Sequence, residues 1–187
     1  MLPDTCQSCG QNSQAPSGSV AFTNCTCNLG YTGPNGGTCI ACTAGKYKDT
    51  TGAGICTDCG ANTYSTATGA AVASTCTNCS SNSVSPSASS LLTDCKCMAG
   101  HTGVDGAACT ACTAGSYKTT TGSLPCTFCD VNFYSTTVAA VSVVSCVACS
   151  ANSTSVAGSG SINLCYCIAG YQQSQTHDAC IQCQPHD

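Results

Sequence analysis

The sequence predicts a small disulfide-rich fold, mostly irregular with short β-hairpins, laid out as an elongated ladder of cysteine-rich modules in a 70-residue repeat. Three observations predict it. Cysteine supplies 22 of 187 residues, a density that belongs to cross-linked scaffolds rather than packed cores. Large apolar residues are scarce, with three Phe, two Met and no Trp, so cross-links must stand in for a broad core. And the cysteines keep a strict period along the chain.

The period is read from close cysteine pairs. Cys6/Cys9, Cys25/Cys27, Cys39/Cys42 and Cys56/Cys59 form the order CxxC, CxC, CxxC, CxxC. The order restarts at Cys76/Cys79, Cys95/Cys97, Cys109/Cys112 and Cys126/Cys129, and again at Cys146/Cys149, Cys165/Cys167 and Cys180/Cys183. Only one residue is inserted, after Cys167. The expected organisation is a first repeat over 1–75, a second over 76–145 and a partial third over 146–187.

Each repeat holds four short modules. In the first repeat they run Cys9 to Cys25, Cys27 to Cys39, Cys42 to Cys56 and Cys59 to Cys76. Turn-forming residues crowd all of them, as in Gly30-Tyr31-Thr32-Gly33 and Asn35-Gly36-Gly37. Apolar runs are short, which predicts two-stranded hairpins and essentially no helix. Ala139 to Val144 is the segment closest to a helical turn, but its valines favour extended chain.

Two resemblances follow from the modules. Cys27-Asn-Leu-Gly-Tyr-Thr-Gly-Pro-Asn-Gly-Gly-Thr-Cys39 resembles the C-terminal hairpin of an epidermal growth factor-like domain, without that family's six-cysteine pattern or calcium-binding start. The resemblance implies Cys27–Cys39, Cys97–Cys109 and Cys167–Cys180; the third copy lacks the later glycines. Cys42-Thr-Ala-Gly-Lys-Tyr47 to Cys56, and Cys59-Gly-Ala-Asn-Thr-Tyr64 to Cys76, resemble ephrin-receptor-like and tumour necrosis factor receptor-like modules. These are grouped as growth factor receptor cysteine-rich repeats, found in surface antigens and flagellar hair proteins of single-celled eukaryotes. That likeness implies nearest-neighbour bridges: Cys9–Cys25, Cys42–Cys56, Cys59–Cys76, Cys79–Cys95, Cys112–Cys126, Cys129–Cys146 and Cys149–Cys165. It also implies that Tyr47, Tyr64, Tyr117 and Tyr134 lie over the bridges. Cys6 and Cys183 are left over. Neighbouring modules of a longer array could supply their partners, which is the preferred account. Cys183 of one copy could instead join Cys6 of the next, or Cys6 could close locally on Cys9.

Composition excludes several functions. Four Lys, no Arg and eight Asp give a net charge of −4, with no basic patch for nucleic acid or an acidic membrane surface. No run of apolar residues is long enough to span a bilayer. The cysteines imply an oxidising compartment, so an extracellular or cell-surface protein is expected, with a leader removed or the numbering starting inside a precursor. The CxC pairs argue against zinc, and eleven close pairs without a strand–helix junction argue against a redox CxxC. His101, His177 and His186 are scattered, so neither catalysis nor a cofactor is expected. Asn24-Cys25-Thr26, Asn78-Cys79-Ser80 and Asn152-Ser153-Thr154 are glycosylation sequons, and Asn152 is the best candidate because a cysteine sits between the others' residues. The expected function is an extracellular structural protein that self-associates into fibres or a longer array and carries glycans. The alternative is a receptor-type ligand-binding ectodomain.

Overall fold

A computed structural model describes residues 7–174 and 179–184, so Cys6, His177 and His186 lie outside the described residues. The described chain forms ten two-stranded sheets and no α-helix. It divides into two compact units, one formed by Met1–Cys79 with Val84–Cys95, the other by Ser80–Ser83 with Lys96–Asp187.

The close cysteine pairs are strands. Ile40–Ala41, the two residues between Cys39 and Cys42, pair antiparallel with Tyr31–Thr32. Thr57–Asp58, between Cys56 and Cys59, pair with Lys46–Tyr47. Thr77–Asn78, between Cys76 and Cys79, pair with Thr63–Tyr64. One cysteine of each pair closes the module behind the strand and the other opens the module ahead. The first strand of each hairpin follows a tight turn that begins just after the opening cysteine, such as Thr43 to Lys46, whose Lys46 N–H donates to Thr43 O at 3.2 Å. Its third residue, Gly45, has φ +82°, as the second central position of a type II turn demands. Asn12, Asn62, Asn82, Asn132 and Asn152 stand at the matching place in other modules, also at positive φ; asparagine is the side chain that tolerates this region best after glycine.

Within the first unit, main-chain bonds tie each module to the next at one register. Gly30 N–H donates to Lys48 O, Gly45 N–H to Ser65 O and Asn62 N–H to Ser85 O, at 2.8–2.9 Å. The residues after the tyrosines continue the ladder: Lys48 N–H reaches Ala70 O, and Ser65 N–H reaches Ser89 O. Tyr47 and Tyr64 thereby make parallel bridges to Ala70 and Ser89. The second unit repeats the scheme, with Gly100 to Lys118, Gly115 to Ser135 and Asn132 to Ser155, and with Tyr117 and Tyr134 bridging Ala140 and Ser159.

Modules come in two sizes. Those opened by a Cys-x-x-Gly turn have a sequence separation of 12 to 14 between bridged cysteines. Those opened by Cys-x-x-Asn have a separation of 16 or 17. The extra residues of the longer modules include a single 3-10 turn just before the closing cysteine: Phe22–Asn24, Ala73–Thr75, Leu92–Asp94, Val143–Ser145 and Ile162–Leu164. The closing cysteine's own N–H satisfies the first carbonyl of that turn, as in Cys146 N–H to Val143 O at 2.9 Å. This corrects the expectation of extended chain over Ala139 to Val144: Val143 enters the turn because the chain must swing back to bring Cys146 to Cys129, and closure overrides β propensity.

The short modules also touch the long modules two places further on, so contacts are not confined to adjacent modules. A Cβ at Gly30, Gly45, Gly100 or Gly115 would fall within 3.0 Å of the carbonyl oxygen of Gly69, Ala88, Ala139 or Gly158 respectively. Those four acceptor residues are themselves left-handed, and two of them are alanines, Ala88 at φ +60° and Ala139 at φ +55°. An L side chain there costs roughly 1–2 kcal/mol. Ala88→Gly should therefore raise the unfolding free energy by up to about 1 kcal/mol once the looser unfolded chain is counted, and the denaturant midpoint with it. An unchanged or lower midpoint in denaturant titration would refute the strain.

The interior inverts the usual distribution. The buried apolar residues are cysteines with only Ala70 and Ala140. The buried polar residues are serines, at 65, 83, 85, 89, 116, 135, 155 and 159, together with Lys48 and Lys118. Several serine hydroxyls stay satisfied by donating to main-chain oxygens, as Ser85 to Thr63 O at 3.0 Å and Ser155 to Phe133 O at 2.8 Å. The larger apolar side chains, among them Val20, Ile40, Ile55, Phe128 and Val144, face solvent. Tyr47, Tyr64, Tyr117 and Tyr134 are half-buried. Interior space between modules is too narrow for large side chains, because backbones approach each other directly.

Candidate functional site

The described cysteines form ten disulfides: Cys9–Cys25, Cys27–Cys39, Cys42–Cys56, Cys59–Cys76, Cys79–Cys95, Cys97–Cys109, Cys112–Cys126, Cys129–Cys146, Cys149–Cys165 and Cys167–Cys180. These are the pairs of the nearest-neighbour ladder. Their Cα atoms stand 5.5–5.8 Å apart, within the range a relaxed bridge requires. Each closes a short loop, worth about 3 kcal/mol in the chain-entropy account. Cys183 is a free, exposed thiol. Among the described residues no group of three or more His, Cys, Asp or Glu is arranged to hold a metal ion.

The three sequon asparagines are exposed, in different settings. Asn24 ends a 3-10 turn and lines an open polar groove with Ser17, Ser19 and Thr23. Asn78 lies on the strand Thr77–Asn78. Asn152 is the left-handed turn residue of its module, at φ +61°, and the hydroxyl of Thr154 in its sequon donates to Asn132 Oδ1 at 2.7 Å.

Two of the four lysines are interior, which their sequence surroundings give no sign of. Lys48 is 2 % and Lys118 3 % exposed. Lys48 Nζ donates to Thr50 O at 2.9 Å and Gly52 O at 2.8 Å. Lys118 Nζ donates to His101 O at 2.7 Å and to Gly122 O. Each ammonium is thus held by two main-chain carbonyls. Burial pushes the Lys118 amine below its ordinary value, and the Asp105 carboxylate partly opposes the shift. The 70-residue spacing of the two lysines is the signal that could have found them. His101 contributes its carbonyl to this cage, and its ring nitrogen Nδ1 lies 3.3 Å from Ala99 O.

The surfaces of the two repeats differ at one cross-strand position. In the first repeat Lys46 faces Asp58, and their side chains form an ion pair at 2.5 Å. In the second repeat Ser116 faces Phe128. Around Lys46, the exposed Ile40 and Ile55 flank a groove of about 340 Å³ floored by Ala41, Cys42 and Cys56. Around Phe128, the side chains of Tyr117, Asp130, Phe133 and Val143 enclose a cleft of about 90 Å³. The Phe128 ring lies against Gly158 yet remains 62 % exposed. The second unit therefore carries an aromatic surface where the first carries charge.

The family described as tyrosine-protein kinase ephrin type A/B receptor-like matches residues 30–76 and 100–146, together half of the chain. The chain belongs to the ephrin-receptor-like family of cysteine-rich repeats. The two matched ephrin-receptor-like segments are 70 residues apart and open on Gly30 and Gly100, the glycines that lie against Gly69 and Ala139. They close on Cys76 and Cys146, the ends of the long modules. Each match thus spans one complete short-to-long contact, and each contains one caged lysine. These cysteine-rich receptor-like repeats are extracellular in type and not enzymatic in character. No curated protein is similar enough to the chain to count as a match.

Proposed function

We propose that this ephrin-receptor-like array is an extracellular structural protein, part of a cell-surface coat, fibre or flagellar hair. The observation that carries the reading is the double locking of its modules. Within each unit the modules are closed by disulfides and bonded to one another through their main chains, on an interior made of cystine, serine and caged lysine. Such construction resists local opening and suits mechanical persistence. Of the four lysines, only Lys46 and Lys96 reach solvent, so few sites invite a trypsin-like protease. No described helix is long and apolar enough to cross a membrane. Exposed Asn24, Asn78 and Asn152 are the proposed glycan carriers, and Cys183 is proposed to pair with a cysteine of a neighbouring module in a longer array or of another copy.

A receptor-type reading has one observation in its favour, the Phe128 cleft that the first repeat lacks. Electron microscopy of the native material separates the two. The structural reading expects ordered fibres or coats; dispersed particles that bind a soluble ligand would remove it.

A further inference from the structure

Two surface features stand out because each departs from its counterpart 70 residues away. The groove beside Ile40 and Lys46 has Thr110 and Ser116 at the corresponding positions of the second repeat. The cleft formed by Phe128, Asp130 and Phe133 has Asp58, Gly60 and Thr63 in the first. A position that serves only folding should accept the same residue in both copies, since the surrounding backbone bonds are the same. Ile55 has Pro125 at its place, with exposed Leu124 beside it, but Ile40, Phe128 and Phe133 are large exposed apolar side chains present in one copy only, the pattern of a contact surface.

The two features are complementary to one another. One is apolar with an ammonium at its edge, the other aromatic with a carboxylate. Lys46 already meets Asp58, but that pair is solvent-exposed, with side chains 37 % and 48 % accessible, and an ammonium has three donors. Asp130 is exposed and its carboxylate has no hydrogen bond or ion pair among the described residues. The chain's net charge of −4 makes unspecific approach of two copies unfavourable and gives value to one matched pair of opposite charges. We propose that copies of this chain join head to tail, the Phe128–Phe133 surface of one copy seated on the Ile40–Ile55 groove of the next, with Asp130 facing Lys46. The inference rests on the structural reading above and names its contact. Because the two surfaces differ, a pair of copies leaves one of each unused, and the contact propagates into an open filament unless its rotation closes a ring.

The repeat itself supplies test variants that the fold already accepts. F128D with F133T gives the second repeat the first repeat's residues; I40T with K46S does the converse. Sedimentation velocity over a concentration series, with Cys183 alkylated, reads noncovalent assembly alone. Wild type is expected to form a ladder of oligomers. Each double variant, with its disulfide map unchanged, is expected to remain monomeric with a dissociation constant raised at least about tenfold. Mixed in equal amounts, the two variants retain one intact surface of each kind and should form a dimer that grows no further. A double variant that assembles like wild type, or a mixture that stays monomeric, overturns the contact. Native fibres whose recombinant chain is monomeric would overturn it while leaving the structural reading in place. Native monomers holding a soluble ligand that F128D releases would remove both.

Discussion

Gly115→Ala should lower the unfolding free energy by about 3 kcal/mol or more, while Gly60→Ala should leave it unchanged or raise it by about 0.5 kcal/mol. Gly115 sits at φ +83° and a Cβ there would meet the carbonyl of Gly158, a main-chain group that cannot step aside. The left-handed conformation alone costs roughly 1–2 kcal/mol for an alanine, and forcing apart two packed segments adds about 1–3 kcal/mol. Pushing that carbonyl away would also stretch the bond from Gly158 N–H to Cys129 O. Gly60 has ordinary φ and open space where a Cβ would go, so alanine there chiefly restricts the unfolded chain. Denaturant titration with disulfides intact, followed by circular dichroism, checks both. Equal effects of the two changes would show that modules two places apart do not pack through that glycine.

Lys118→Ala should be costly as well, by about 3 kcal/mol, with Lys118→Met intermediate and Lys46→Ala nearly silent. Alanine strips donors from His101 O and Gly122 O at about 1–3 kcal/mol for a buried unsatisfied group, and leaves a void where the aliphatic stem ran. Methionine fills most of that void and loses only the donors. Lys46 offers the contrast of an exposed ion pair, worth about 0–1 kcal/mol. The pH dependence has a definite sign. Burial places the folded pKa of Lys118 below its unfolded value of 10.5, so the unfolded chain binds the proton more tightly. The penalty of holding the charged amine is complete at neutral pH and is relieved as pH rises through the folded value toward 10.5. Wild type should therefore gain stability relative to Lys118→Met over that alkaline window, measured with Cys183 alkylated to prevent disulfide exchange. A difference that narrows toward alkaline pH would contradict the assignment.

Much of this architecture is legible in the sequence because each bridge closes a single module of 12 to 17 residues, a local matter once the family resemblance supplies the pairing. The 70-residue period, the turn residues and the Cys-x-x-Gly and Cys-x-x-Asn openings depend on a few adjacent residues and on backbone sterics. Those same openings mark the short and the long modules, and their alternation could have been read as two sizes. The tertiary structure decided what neighbouring modules do to one another. Lys48 and Lys118 look like surface lysines in any window of sequence, and only the main-chain carbonyls converging on them make them interior. Ile40 and Phe128 look like core candidates, and only the direct approach of backbones, which leaves room for serine and alanine, turns them outward. Val143 favours a strand by itself and enters a 3-10 turn because Cys129 must be reached. The chain alone fixes which residues can cross-link and where it must turn. How close the modules lie is set by main-chain bonds between distant residues, and that spacing settles which side chains are inside.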